Sequence, residues 1–148
     1  MLIGFWRQWY KNGEIFSSGV YHDSKQAGDW VYFSPNNTDS SKITFKDGKP
    51  FDGVKIEWYA NGKKETEIKY VNGQISGPVS YWYDNGEKKR LENYSNNVLN
   101  GSITKWKRTG EKKLKQVYDQ GTLKEQKEYK YYAAGQIDST IEFHYNNE

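Results

Sequence analysis

GVKIEWYANGKKETEIKYVNGQIS (residues 53–76) is followed directly by GPVSYWYDNGEKKRLENYSNNVLN (residues 77–100). Both segments begin with glycine, reach an aromatic pair five residues later, turn at Asn-Gly, and place a tyrosine seventeen residues after the start. The frame extends in both directions. Gly101 continues the 24-residue step, Gly28 stands 25 residues before Gly53, and Gly4 stands 24 before Gly28. A further copy fits from Gln126, which replaces the glycine. The chain therefore reads as one domain, 1–148, of six tandem repeats: 4–27, 28–52, 53–76, 77–100, 101–125 and 126–148.

Other columns align in the same frame. Five residues after each start come Trp9, Phe33, Trp58, Trp82, Trp106 and Tyr131, and beside them Tyr10, Ser34, Tyr59, Tyr83, Lys107 and Tyr132. Nine residues after the start come Gly13, Asn37, Gly62, Gly86, Gly110 and Gly135. Seventeen after come Tyr21, Phe45, Tyr70, Tyr94, Tyr118 and Phe143, aromatic in every copy. A second turn position recurs as Gly48, Gly73, Asn97 and Gly121.

Asn-Gly between apolar runs is a strong hairpin signal, because a type I′ turn needs positive φ at both central residues. It occurs at Asn12-Gly13, Asn61-Gly62, Asn72-Gly73, Asn85-Gly86 and Asn100-Gly101, with Asp47-Gly48 as an equivalent. All are expected to mark hairpin turns, of two residues or one more. The segments between them are short and rich in Trp, Tyr, Ile, Val and Thr, as strands are. The fold expected is all-β: tandem hairpins forming an elongated, twisted, single-layer antiparallel sheet of about twelve strands. Ser34–Ser41 is the least regular stretch and reads as a distorted turn. Whether Trp58 and Tyr70 share a face depends on one residue of turn length, since strand parity is strict.

Composition supports a thin sheet. Only 34% of residues are hydrophobic, but 17% are aromatic: thirteen Tyr, six Trp and six Phe. Apolar area is thus concentrated in large flat side chains. The net charge of +3 is mild and acidic and basic residues are interspersed, which argues against nucleic acid as a partner. Cysteine is absent, which removes disulfides and thiolate chemistry. No apolar run is long enough for a transmembrane helix. Met1-Leu2-Ile3-Gly4 enters the first repeat directly. That points to the cytoplasm for the sequence as given, or to an exported or lipid-anchored protein where a leader precedes it.

The succession Gly, Trp-Tyr, Asn-Gly, Tyr, Asn-Gly in residues 53–100 resembles the MORN repeat, and within it the bacterial variant of YwqK-like antitoxin-type proteins. The resemblance covers nearly the whole chain and is strongest from Gly53 to Gly110. It implies stacked hairpins and a protein-binding or scaffolding role. For the bacterial variant it implies the antitoxin half of a toxin–antitoxin pair.

No catalytic constellation is legible. His22 and His144 lie in the first and last repeats. Glu65, Glu67 and Glu92 stand beside Lys and Arg, as cross-strand charge pairs do. Phosphate-loop, nucleophile-elbow and calcium-loop motifs are absent, so no enzyme activity, cofactor or metal is expected. Two stripes are candidates for binding. The aromatic ladder Trp9, Tyr10, Trp58, Tyr59, Trp82, Tyr83 and Trp106 suits a protein partner, a toxin among them, because Trp and Tyr anchor interfaces. The same ladder also suits stacking of repeat on repeat. The basic edge Lys63, Lys64, Lys88, Lys89, Lys112 and Lys113 follows each hairpin turn at a fixed offset. It suits anionic lipid or the cell envelope, or simply a solubilising edge. Exposed end strands leave a monomer and an edge-paired homodimer both open.

Overall fold

The structure is a computed structural model that describes residues 1–132 and 135–145. Residues 133, 134 and 146–148 of the sixth repeat lie outside the described residues. The chain divides into two compact units, Met1–Ile75 and Ser76–Glu148. The division falls one residue before the junction of the third and fourth repeats. Every regular element among the described residues is a strand. The first unit holds β1 (Gly4–Trp9), β2 (Ile15–His22), β3 (Lys25–Phe33), β4 (Ser40–Lys46), β5 (Lys49–Trp58) and β6 (Lys64–Val71). β7 (Gln74–Trp82) begins in the last two residues of the first unit and lies otherwise in the second, which also holds β8 (Lys88–Ser95), β9 (Val98–Leu99), β10 (Gly101–Trp106), β11 (Lys112–Asp119), β12 (Thr122–Tyr131) and β13 (Ile137–His144). Within each unit the strands pair antiparallel in chain order, with β9 pairing only β8. β9 and β10 occupy the place of one strand in the other repeats, interrupted at Asn100, which accounts for thirteen strands against about twelve expected. This is the antiparallel hairpin array that the sequence leads one to expect.

The Asn-Gly pairs do three different things, and the turn length that the sequence leaves open takes two values. Asn72-Gly73 and Asp47-Gly48 are type I′ turns, with φ of 49° and 77°, and of 52° and 78°. At Asn61-Gly62 only the glycine has positive φ, 81°. There Gly62 N–H donates to Tyr59 C=O at 2.9 Å, and Tyr59 N–H to Lys63 C=O at 2.9 Å. That is a three-residue loop, a type I turn closed by a left-handed glycine. Asn61 is favoured for another reason: its Oδ1 accepts the Lys63 N–H at 3.1 Å. Asn12 and Asn85 hold Glu14 and Glu87 in the same way, each at 3.1 Å. Asn100-Gly101 is not a turn at all, because it separates β9 from β10.

The longer loop has a consequence for parity. Trp58 lies opposite Lys64 and Glu57 opposite Thr66, so Glu65 is an extra, bulged residue. The bulge cancels the extra turn residue, so Tyr70 lies opposite Gly53, on the face of Lys55 and Glu57, and Trp58 is one step out of that alternation; both nonetheless pack against one hydrophobic cluster. In the second repeat the loop is one residue longer, since Ser34 N–H reaches Asp39 C=O, and the β3–β4 pairing runs without a bulge. The irregular stretch is thus a four-residue turn.

The core of the first unit is Trp30, Tyr32, Ile43 and Phe45, with Phe16, Tyr21, Trp58 and Tyr70 packed around it. Trp30 is 0% exposed. Burying such a ring withdraws roughly 150–250 Å² from water, a gross gain of about 4–6 kcal/mol. Its indole N–H donates to Val20 C=O at 3.1 Å. Gly19 is required here: a Cβ would sit 2.2 Å from the Trp30 ring. The second unit has a smaller apolar core, Val79 and Ile103, beside buried Glu92 and Thr104.

Side chains also tie repeat to repeat. Tyr10 Oη donates to Phe33 C=O at 2.7 Å, and Tyr83 Oη to Trp106 C=O at 3.0 Å. Asn12 Nδ2 donates to Pro35 C=O and Asn85 Nδ2 to Arg108 C=O, each at 3.0 Å. Each donor belongs to one repeat and each acceptor to the next.

Candidate partner-binding site

Trp58, the last residue of β5, packs against the first unit's core. There it meets Tyr10 from the turn after β1, Phe16 from β2 and Tyr32 from β3. Together with Lys55, Ile56, Glu57 and Glu65 these residues line a cleft of about 280 Å³. Its aromatic wall is continuous. Tyr10 and Phe16 meet edge to face at 5.1 Å, and Phe16 and Tyr32 at 5.8 Å. Trp58 also borders a more open depression with Tyr10, Lys11, Asn12, Pro35 and Ala60. The indole Nε1 of Trp58 is buried and has no hydrogen-bond partner.

Lys55 and Glu57 occupy the positions filled by Trp30 and Tyr32 in the preceding repeat, and they form an ion pair at 2.8 Å. Thr66 Oγ1 donates to the other Glu57 oxygen at 3.2 Å. Burial works against the Lys55 charge, but the Glu57 hydrogen bond and the negative character around it prevail, and the pKa is raised. The Lys55 hydrogen bond lowers the Glu57 pKa. Burial raises the Tyr10 and Tyr32 hydroxyls, although Gln26 donates to the Tyr32 Oη at 2.9 Å. The cleft is therefore lined by an ionised, partly solvent-exposed ion pair beside aromatic rings.

Of the aromatic ladder, Tyr10 and Trp58 come together in this cleft. Trp9 is 60% exposed on β1. Tyr59, Trp82 and Trp106 are half-buried. Tyr83 binds the Trp106 carbonyl and lies under Lys89 and Arg108, 5.7 Å and 5.9 Å from its ring. Lys63 stands in the turn before β6, and Lys64, Lys88, Lys89, Lys112 and Lys113 begin β6, β8 and β11. Lys64 pairs with Glu67 at 2.7 Å. The turns there are of mixed charge: Arg108 pairs with Asp84, and Lys107 with Glu111 at 2.9 Å.

Sequence reading missed Phe16, Tyr32, Lys55 and Glu57. The signal lay in parity. Tyr70, Ile68 and Thr66 alternate on one face and lie opposite Gly53, Lys55 and Glu57. The columns two and four residues after the start are thus core-facing, but their chemistry changes from repeat to repeat.

Among the described residues no group of three or more His, Asp and Glu is placed to hold a metal ion. The carboxylates with shifted pKa, Asp29, Glu57, Glu111 and Glu142, are all lowered, each chiefly by a lysine hydrogen bond.

The family model described as MORN repeat variant matches residues 51–72 and 75–96, the third and fourth repeats. Repeats of this kind serve in general as modules that bind proteins or membranes. No curated protein matches the chain.

Proposed function

We propose that this chain is a non-enzymatic protein-binding module, and that the partner is a protein toxin which it holds inactive. The observation that carries the reading is the open aromatic cleft around Trp58, lined also by the Lys55–Glu57 pair. Aromatic anchors concentrate binding energy where water is excluded. A charge pair fixed in place before binding adds specificity at little ordering cost. The lowered carboxylates stay ionised at neutral pH, which suits recognition and does not suit a general acid.

The test is a pull-down from lysate of the source organism, with a Lys55→Glu/Glu57→Lys chain as control. The swap keeps the ion pair and reverses its direction. One stoichiometric protein retained by the natural chain and lost by the swapped chain supports the cleft. Growth arrest by that protein alone, relieved by co-expression, supports the toxin assignment. Equal capture by both chains removes the cleft from the function.

A second reading rests on Lys88, Lys89, Lys112 and Lys113, all exposed. Each lysine near an anionic bilayer contributes about 1 kcal/mol. Sedimentation with anionic vesicles at low salt tests it, and no binding there removes the lipid reading.

A further inference from the structure

Long side chains cross the junctions between repeats from one column, six residues after each start. Tyr10 Oη donates to the Phe33 carbonyl, Tyr83 Oη donates to the Trp106 carbonyl, and Lys107 Nζ lies 4.6 Å from the Tyr131 ring. From the second repeat to the third the same column holds Ser34. Its hydroxyl is used within its own turn, donating to Asn36 Oδ1 at 2.9 Å and accepting the Asp39 N–H at 3.0 Å. The two repeats are nonetheless in close contact. Ser41 Oγ accepts the Ile56 N–H at 3.2 Å, and a Cβ on Gly62 would sit 2.6 Å from Asn36 Nδ2.

More than one side chain is missing at this junction. The Tyr10 ring packs edge to face on Phe16, and Tyr83 lies under Lys89; Phe16 and Lys89 are the bulged residues of their strand pairs. The pairing of β3 with β4 has no bulge, so the second repeat has no counterpart to them. Arg108, which lies over the Tyr83 ring, is matched in the third repeat by Ala60, an exposed residue. Trp58 itself is placed as Trp106 is. Each lies opposite a lysine at the same bulge and precedes the same three-residue turn. The cleft and the open depression beside it lie at this junction, bordered by Tyr10 of the first repeat and Trp58 of the third. Their charged residues, Lys11, Lys55, Glu57 and Glu65, cancel in sign.

We propose that the protein partner fills this gap with a tyrosine side chain, an inference that rests on the protein-binding reading of the cleft. The partner's ring lies between Trp58 and Tyr10, and its hydroxyl donates to the Trp58 carbonyl as Tyr83 donates to that of Trp106. The column of contacts that ties repeat to repeat is then continued by the partner where the chain interrupts it. An uncharged ring suits a lining without net charge, and its hydroxyl finds the acceptor that a covered phenol needs. Space is sufficient: a cavity of roughly 150 Å³ takes benzene, and the cleft measures about 280 Å³.

The test is an NMR titration of the 148-residue chain with N-acetyl-tyrosinamide, read at the Trp58 indole N–H, which Trp58→Phe identifies by its loss. A saturable shift is expected. N-acetyl-phenylalaninamide, which lacks the hydroxyl, should bind about threefold to tenfold more weakly. Ser34→Tyr fills the gap from within and should abolish binding. Ala60→Arg sets a cation over the bound ring, as Arg108 is set over Tyr83, and should tighten binding about twofold to fivefold. Ala60 is exposed, so this arm stands even where Ser34→Tyr does not fold. No shift at Trp58, equal binding of the two amides, undiminished binding by a folded Ser34→Tyr chain, or no gain with Ala60→Arg overturns the proposal. The pull-down separates this inference from the reading beneath it. A protein captured by the natural and Ser34→Tyr chains alike, and lost only by Lys55→Glu/Glu57→Lys, keeps the partner and overturns the tyrosine. Tyrosine binding at Trp58 with no protein captured keeps the site and removes the protein partner.

Discussion

Two residues after each start, the first unit carries Trp6, Trp30 and Lys55, and the second carries Val79, Ile103 and Glu128. The strand plan is the same in both. In the first unit the column joins an aromatic cluster, where Trp30 meets Tyr21, Tyr32 and Phe45 within 6.3 Å. In the second unit the same face holds charge. Arg90 lies over the Tyr81 ring at 4.1 Å and pairs with buried Glu92 at 3.2 Å, and Tyr94 Oη donates to Glu92 at 3.3 Å. Gln116 donates to Gln126, and Gln126 to Glu128. A single layer of hairpins thus tolerates either filling, the polar one held by ion pairs and hydrogen bonds although the buried Arg90 Nε makes only the ion pair with Glu92. The backbone plan comes from turns and glycines, and the filling sets how each unit is held together.

The largest expected effect breaks the first unit. Trp30→Ala should cost about 3–5 kcal/mol, by lost burial and the cavity left behind. Urea denaturation measures the loss, and hydrogen exchange should place it in β2–β4. A loss under about 1 kcal/mol would mean that the aromatic cluster does not hold that unit together.

The second unit should respond differently. Arg90→Ala leaves Glu92 buried with one partner fewer and should cost about 1–3 kcal/mol. Replacing both, Arg90→Met with Glu92→Leu, should return the stability to within about 1 kcal/mol of the natural chain or above it, since an apolar pair needs no desolvation. Failure of the double variant to recover would show that the charged filling cannot be exchanged for an apolar one.

The ties between repeats offer a matched pair. Tyr10→Phe and Tyr83→Phe each delete one hydroxyl and should each cost about 0.5–1.5 kcal/mol by thermal melting. Equal losses would show that the tie is indifferent to the filling beneath it.

The smallest effect is electrostatic. The Glu57 pKa is lowered from 4.5, so its share of stability is present above that value and is lost as pH falls through the lowered one. The Lys55 pKa is raised from 10.5, so its share is present below that value and is lost as pH rises through the raised one. Both groups reach solvent, so the pair should add less than about 1 kcal/mol across the range between. Lys55→Met/Glu57→Leu should flatten that part of the pH–stability curve, as urea midpoints taken across pH would show.

The hairpin array was legible because its signals are local. A residue such as Asn72 or Gly73 announces its turn within two positions, and an aromatic every 24 or 25 residues announces a repeated contact. The candidate cleft was only half legible. Tyr10 and Trp58 stand in columns that recur, whereas Phe16, Tyr32, Lys55 and Glu57 stand in columns whose chemistry varies. Turn type was harder still, since Asn61-Gly62 and Asn72-Gly73 are the same dipeptide in two conformations.

By itself the sequence determined the fold class, the repeat frame and the places where the chain must turn, because backbone propensity and glycine act over a few residues. The tertiary structure alone decided which aromatics meet, that Gly19 exists to admit Trp30, and that Lys55 and Glu57 line a cleft. The physical reason is that turn propensity acts within a few residues, whereas packing and bulges such as Glu65 are set only when strands from different repeats settle against a shared core.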